Sequence, residues 1–118
     1  MYFKQKIGKL GENLSCNYLI KKGYKILDKN FSCKQGEIDI IAISDSKELV
    51  FIEVKTRSNL KYGSPSDAVT NYKQKHIVLS SKYYIYLYDF NNINVRYDVI
   101  EIFLYNSTYK INHIKNAF

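Results

Sequence analysis

The stretch GEIDIIAISDSKELVFIEVKTR, Gly36 to Arg57, decides how this chain folds. Two apolar runs flank a polar SDSK segment, the pattern of a β-hairpin. Charge stands where a core strand holds Val or Ile: Glu37 and Asp39 in the first run, Glu53 and Lys55 in the second. Successive strand side chains point to opposite faces. Glu37 and Asp39 therefore share one face, with Ile38, Ile40 and Ala42 on the other. In the second run Phe51, Glu53 and Lys55 lie opposite Val50, Ile52 and Val54. A hairpin centred near Ser46 sets Asp39 across from Glu53 and Glu37 across from Lys55. A shift of two residues would keep the faces and change the partners.

Like charges directly opposite one another destabilise a strand pair, so Asp39 beside Glu53 calls for a remedy. A divalent cation supplies one, because Mg²⁺ is typically held by one or two carboxylates, several waters and a phosphate oxygen. Such an ion lowers the pKa of a bound water, and Lys55, on the same face, is placed to orient that water or to stabilise phosphate charge. The plainer alternative is an exposed sheet face on which Glu37 and Lys55 pair across strands. Four charges on one hairpin face, backed by an apolar face, favour the metal site over that alternative.

At 118 residues the chain matches a single domain, taken as residues 1–118. Hydrophobic residues at 46% and charged residues at 25% are those of a globular fold and exclude extensive disorder. No apolar run approaches the roughly 20 residues of a membrane helix, and MYFKQKIGKLGENL lacks the apolar core of a secretory signal, so a cytoplasmic protein without a membrane partner is expected. Cys16 and Cys33 have neither CxxC spacing nor nearby histidines and read as free thiols. His76 and His113 have no carboxylate or cysteine at ligand spacing and are not offered as ligands. The net charge of +7 is uneven. Residues 1–34 hold eight lysines against Glu12 and Asp28, while residues 35–55 hold five acids against Lys47 and Lys55. A basic surround about an acidic centre suits a polyanionic partner joined through a cation. Solubility alone would also explain the lysines.

Ile7, Leu10, Leu14, Tyr18 and Leu19 follow helical spacing from Lys4 to Lys22, with Gly23 as the stop. Tyr24 to Cys33 reads as a strand, followed by the hairpin. Ser64-Pro65 offers a cap and first-turn proline for a second helix running to about Tyr88, although KYYIYLYDF within it is strand-like in propensity. Ile93 to Leu104 reads as a further strand, and Tyr105 to Phe118 as a tail of strand or helix. The order α-β-β-β-α-β implies an α/β fold, a mixed β-sheet flanked by helices. For Tyr83, Tyr84, Tyr86 and Tyr88, core packing or a subunit interface is preferred to base stacking, which leaves a homodimer open as one assembly.

The spacing D-x13-ExK, Asp39 followed by Glu53-Val54-Lys55, resembles the core motif of the PD-(D/E)xK nuclease superfamily. Gly11-Glu12, Gly23-Tyr24, Gly36 to Ala42, Phe51 to Arg57, Lys73-Gln74, Arg96-Tyr97-Asp98-Val99 and Asn116-Ala117-Phe118 together resemble the YraN-type family of small bacterial proteins, related to archaeal Holliday junction resolvases. The resemblance covers nearly the whole chain and implies a restriction-endonuclease-like fold. It implies Asp39 and Glu53 as Mg²⁺ or Mn²⁺ ligands and Lys55 as the catalytic lysine, with Glu12 brought toward the metal from the first helix. Gln74 matches a position where related nucleases carry a polar active-site residue. Ile38 stands where the motif has its nominal proline.

The function expected is metal-dependent hydrolysis of DNA phosphodiesters, with branched or recombining DNA as the substrate class suggested. Lys9 of the first helix, Glu37, Arg57 and Lys73 are the candidate nucleic-acid contacts. The rival expectation is a nucleic-acid-binding module that keeps the fold without catalysis.

Overall fold

In the computed structural model of the protein, the described residues are 2–57 and 69–118. They form α1 (Tyr2–Lys21), β1 (Lys25–Cys33), β2 (Gly36–Ile43), β3 (Leu49–Arg57), α2 (Asn71–Leu87), β4 (Val95–Tyr105) and β5 (Thr108–Ile114). One five-stranded sheet has the order β1-β2-β3-β4-β5. Only β3 and β4 run parallel, and α2 provides the crossover that a parallel neighbour requires. The mixed α/β sheet and the element order expected from the sequence are found, and the tail resolves as strand β5. Among the described residues no helix is long and apolar enough to cross a membrane.

Helix α1 stops where Gly23 takes φ +93°. The Tyr24 N–H reaches back to the Leu19 carbonyl and the Gly23 N–H to Ile20, a Schellman closure that turns the buried Tyr24 into the core. Helix α2 begins later than Ser64-Pro65 suggests. That dipeptide lies outside the described residues, and the observed N-cap is Thr70, whose side chain accepts from the Lys73 N–H. The strand-like run in α2 is helical because burial overrides propensity. Ile77, Ser80, Ser81 and Tyr84 recur at helical spacing and are all buried. Tyr84 meets Phe31 and Phe51 edge-on, at ring separations of 5.0 and 6.0 Å. Tyr83, Tyr86 and Tyr88 remain exposed.

Both faces of the central strands are covered, which corrects the expectation of one apolar and one charged face. Under α1, Cys16, Leu19 and Tyr24 pack with Ile40, Ala42, Val50, Ile52, Ile100 and Ile102. Under α2, Ile77 and Tyr84 pack with Ile38, Ile41, Leu49 and Phe51. Ile38 thus belongs to the second core rather than joining Ile40 and Ala42. With a helix on each face, β2 and β3 read as nearly continuous apolar runs, and their charges cluster toward the end where the β2–β3 ladder stops.

The α1 face also buries a charge network. Arg96 contacts Asp98, Glu48 and Tyr24, while Asp98 accepts from His113 Nε2 at 2.7 Å and from the Asn116 N–H at 3.1 Å. Burial works to raise the Asp98 pKa, but its bonds to His113 and Arg96 outweigh that and hold it below the usual carboxylate range. Every charge there has a partner, as burial demands.

α1 lies close on β3 at Gly11. A Cβ on Gly11 would fall 1.9 Å from Thr56 Oγ1, whereas one on Gly8 would meet nothing within 4 Å. Gly8→Ala should therefore stabilise the protein by up to about 1 kcal/mol through helix propensity. Gly11→Ala should destabilise it by about 1–3 kcal/mol through overpacking, and Thr56→Ala should recover part of that loss. Urea denaturation of the three variants checks these signs.

Candidate functional site

The cover ends at the carboxyl-terminal half of β3. Residues Leu49 to Glu53 are buried and those from Val54 to Arg57 only partly so. The β2–β3 ladder ends in the same place. Its register places Ile43 opposite Leu49 and Ile40 opposite Ile52, as a hairpin centred near Ser46 requires. Beyond Ile40 the strands no longer pair, so the expected Asp39–Glu53 and Glu37–Lys55 cross-strand pairs are not formed. Asp39 instead sends its carboxylate to the next strand, where Oδ2 accepts the Val54 N–H at 2.8 Å. A side chain thereby takes the place of a backbone acceptor at the point where the strands part.

This bond brings Asp39 to Glu53. Burial first, and the Glu53 carboxylate second, push Asp39 up to about 8 against the opposing pull of the Val54 N–H. Glu12, half-buried on α1, adds a smaller push in the same direction. Glu53 is 4% exposed and takes two cations on one oxygen. Lys73 Nζ lies 2.5 Å and Lys55 Nζ 3.4 Å from Oε2. Burial first, and the neighbouring Lys73 ammonium second, lower the Lys55 pKa. Burial opposes the Lys73 charge as well, but contact with Glu53 prevails and raises it.

The remaining candidates divide. Lys73 joins the centre as an ion partner of Glu53, from the first turn of α2. Gln74 points its amide elsewhere, donating to the Val69 carbonyl at 3.1 Å. Glu37 is exposed on β2 and pairs in register with Ser32 of β1. Lys9 is exposed and lines an open cleft of about 370 Å³ with Gly8, Glu12, Lys29 and Asn30. Arg57 ends β3 with its Nε buried and unpartnered among the described residues. Glu101 is a member that sequence reasoning missed. It sits beside Lys55 in the parallel ladder, 2% exposed, with Asn112 Nδ2 donating to its Oε1 at 2.7 Å. Its alternation with Ile100 and Ile102 was the available signal.

Among the described residues no three His, Cys, Asp or Glu side chains converge to hold a metal ion. Asp39 and Glu53 meet as a pair. Two carboxylates are the number a Mg²⁺ site takes from protein, waters and phosphate completing the shell. Asp39, which burial and the Glu53 carboxylate push up to about 8, suits a hard cation that would take its proton's place.

Asp39 binds its proton more tightly in the folded chain than in the unfolded one. The stability this confers is complete at acid pH and is lost as pH rises from about 4 toward about 8. Asp39→Asn removes that loss. In metal-free buffer its Tm advantage over the parent should grow steadily from pH 5 to pH 9, as differential scanning fluorimetry would show. An advantage that does not vary with pH would contradict the assignment.

Comparison with known proteins places this geometry in a family. Residues 11–102 match the model of the uncharacterised protein family UPF0102. A UPF0102 protein of Clostridium botulinum (strain Alaska E43 / Type E3) is 51% identical over 98% of this chain and 96% of its own length. One of Caldicellulosiruptor bescii is 50% identical over the whole of both chains, and one of Caldanaerobacter subterraneus subsp. tengcongensis is 47% identical over 98% and 96%. Their names carry no activity. The match runs from Gly11, midway along α1, through most of β4 and takes in Asp39, Glu53 and Lys55, and the chain belongs to the UPF0102 family, the YraN family that its motifs resemble.

Proposed function

We propose that the protein is a divalent-metal-dependent phosphodiesterase acting on DNA, with branched DNA as the substrate class suggested by the resolvase resemblance. One observation carries the proposal: at the open end of β2 and β3, the Asp39 and Glu53 carboxyls are held side by side out of bulk water, with Lys55 beside them. Asp39 and Glu53 would hold Mg²⁺ or Mn²⁺, with Glu12 close enough to add negative potential. The bound ion would activate a water and neutralise charge developing on the phosphate.

The protein's own groups divide the remaining work. Val54 fixes the Asp39 carboxylate in place through its N–H. Lys55, with its ammonium held in a partly buried site, donates to the attacking water or to a non-bridging phosphate oxygen. Lys73, about two-fifths exposed, can leave Glu53 for the backbone of the substrate. Lys9 and Lys29 flank the cleft beside Glu12 and extend a basic path for the phosphate chain.

A second proposal, a binding module without turnover, draws on the same contacts. Lys55 and Lys73 already neutralise Glu53 internally, as they would if no cation ever entered. Incubation with linear duplex and four-way-junction DNA in Mn²⁺ separates the two. The nuclease proposal expects cleavage that falls about 10²-fold or more in Asp39→Ala and in Lys55→Ala. Salt-sensitive binding without cleavage would establish the module instead, and cleavage undiminished in either variant would remove these residues from the reaction.

A further inference from the structure

The geometry points to Glu101 as a positioning residue: it is the alternative seat to which Lys55 moves when a divalent cation takes Glu53. This rests on the proposed cation site and goes beyond it by saying where the displaced lysine goes. In the present arrangement Lys55 Nζ and Lys73 Nζ both occupy Glu53 Oε2. A cation bound to Asp39 and Glu53 would need that oxygen and would repel both ammonium groups. Lys73, 42% exposed, has water to turn to. Lys55, 18% exposed, has far less, and an ammonium left in a largely buried place without a counter-charge is costly.

The sheet supplies that counter-charge. Lys55 and Glu101 are register partners on adjacent parallel strands, so their side chains leave the sheet on the same face, from strands roughly 4.8 Å apart. That face is the one covered by α2, because Ile100, Ile102, Ile52 and Val54 all point into the α1 core. Glu101 is 2% exposed and half satisfied. Asn112 holds Oε1, while Oε2 is buried and receives no hydrogen bond among the described residues. A carboxylate fixed by one oxygen, with the other buried and free, is an acceptor waiting for a donor, and native structures leave few such atoms without reason. The four-carbon stem of Lys55 spans the short step from Glu53 to Glu101 without a backbone change. The lysine would thus stay charged, stay beside the reacting phosphate, and clear the metal ligand.

Mn²⁺ titration calorimetry on four full-length proteins tests this: the parent, Glu101→Gln, Lys55→Met and the double variant. Gln keeps the carbonyl that Asn112 holds and removes only the charge. Glu101→Met, of similar volume, serves as a second variant, and circular dichroism verifies folding of each. Expected is an Mn²⁺ affinity about tenfold weaker in Glu101→Gln, an effect that disappears in the Lys55→Met background because no ammonium then needs the seat. An unchanged affinity, or the same weakening with and without Lys55, would overturn the positioning role while leaving the cation site intact. No Mn²⁺ binding by the parent would remove the cation site and this role with it.

Discussion

The site depends on one hydrogen bond. At Ile40 and Ile52 the β2–β3 ladder stops, and the Val54 N–H would face a gap had Asp39 not bent its carboxylate across to accept it. A buried backbone donor must be satisfied, so Asp39 is held where its charge is least welcome, out of water and against the Glu53 carboxylate. The fold thereby positions two acids more closely than their mutual repulsion would allow in a flexible chain. What relieves them is positive charge, from a proton, from Lys55 and Lys73, or from a cation.

Two aspartates of the sheet show how partners decide whether the cost of burial prevails over a carboxylate. Asp98 lies fully buried under α1, yet His113, Arg96 and the Asn116 N–H hold it well below the usual range. Asp39, with the Val54 N–H as its donor and a rival acid beside it, is pushed up to about 8 by burial first and by the Glu53 carboxylate second. Both are aspartates of one sheet, on β2 and β4 with β3 between them. The α1 face is a closed network that anchors β4 and β5 to β3 and leaves nothing over for a ligand. Unsatisfied capacity remains in Asp39, in the shared Glu53 oxygen and in Glu101 Oε2. Reactive potential is concentrated where satisfaction is incomplete.

Much of this was legible in the sequence because the hairpin is a local object. The turn at SDSK and the apolar periods either side predict β2, β3 and their register, which holds from Ile40 to Ile43. Asp39, Glu53 and Lys55 followed from spacing and from family resemblance. What the sequence could not convey was non-local. The splay of the strands beyond Ile40 depends on cover by α1 and α2, and it displaced Glu37 from the site and Ile38 into the other core. Gln74 is taken up by the Val69 carbonyl just ahead of the Thr70 cap, a contact fixed by how the chain enters α2. Glu101 was hidden because its partner Lys55 stands 46 residues earlier in the chain, and a parallel pairing leaves no local trace.

If the carboxylate pair is the element around which the site is organised, cation binding must expel the proton that the pair retains. The direct measurement is Mg²⁺ or Mn²⁺ titration calorimetry at pH 7 in buffers of differing ionisation enthalpy. The account predicts release of about one proton per bound cation, and loss of that release in Asp39→Asn. A binding enthalpy independent of buffer would show that Asp39 was already ionised, and would contradict the account.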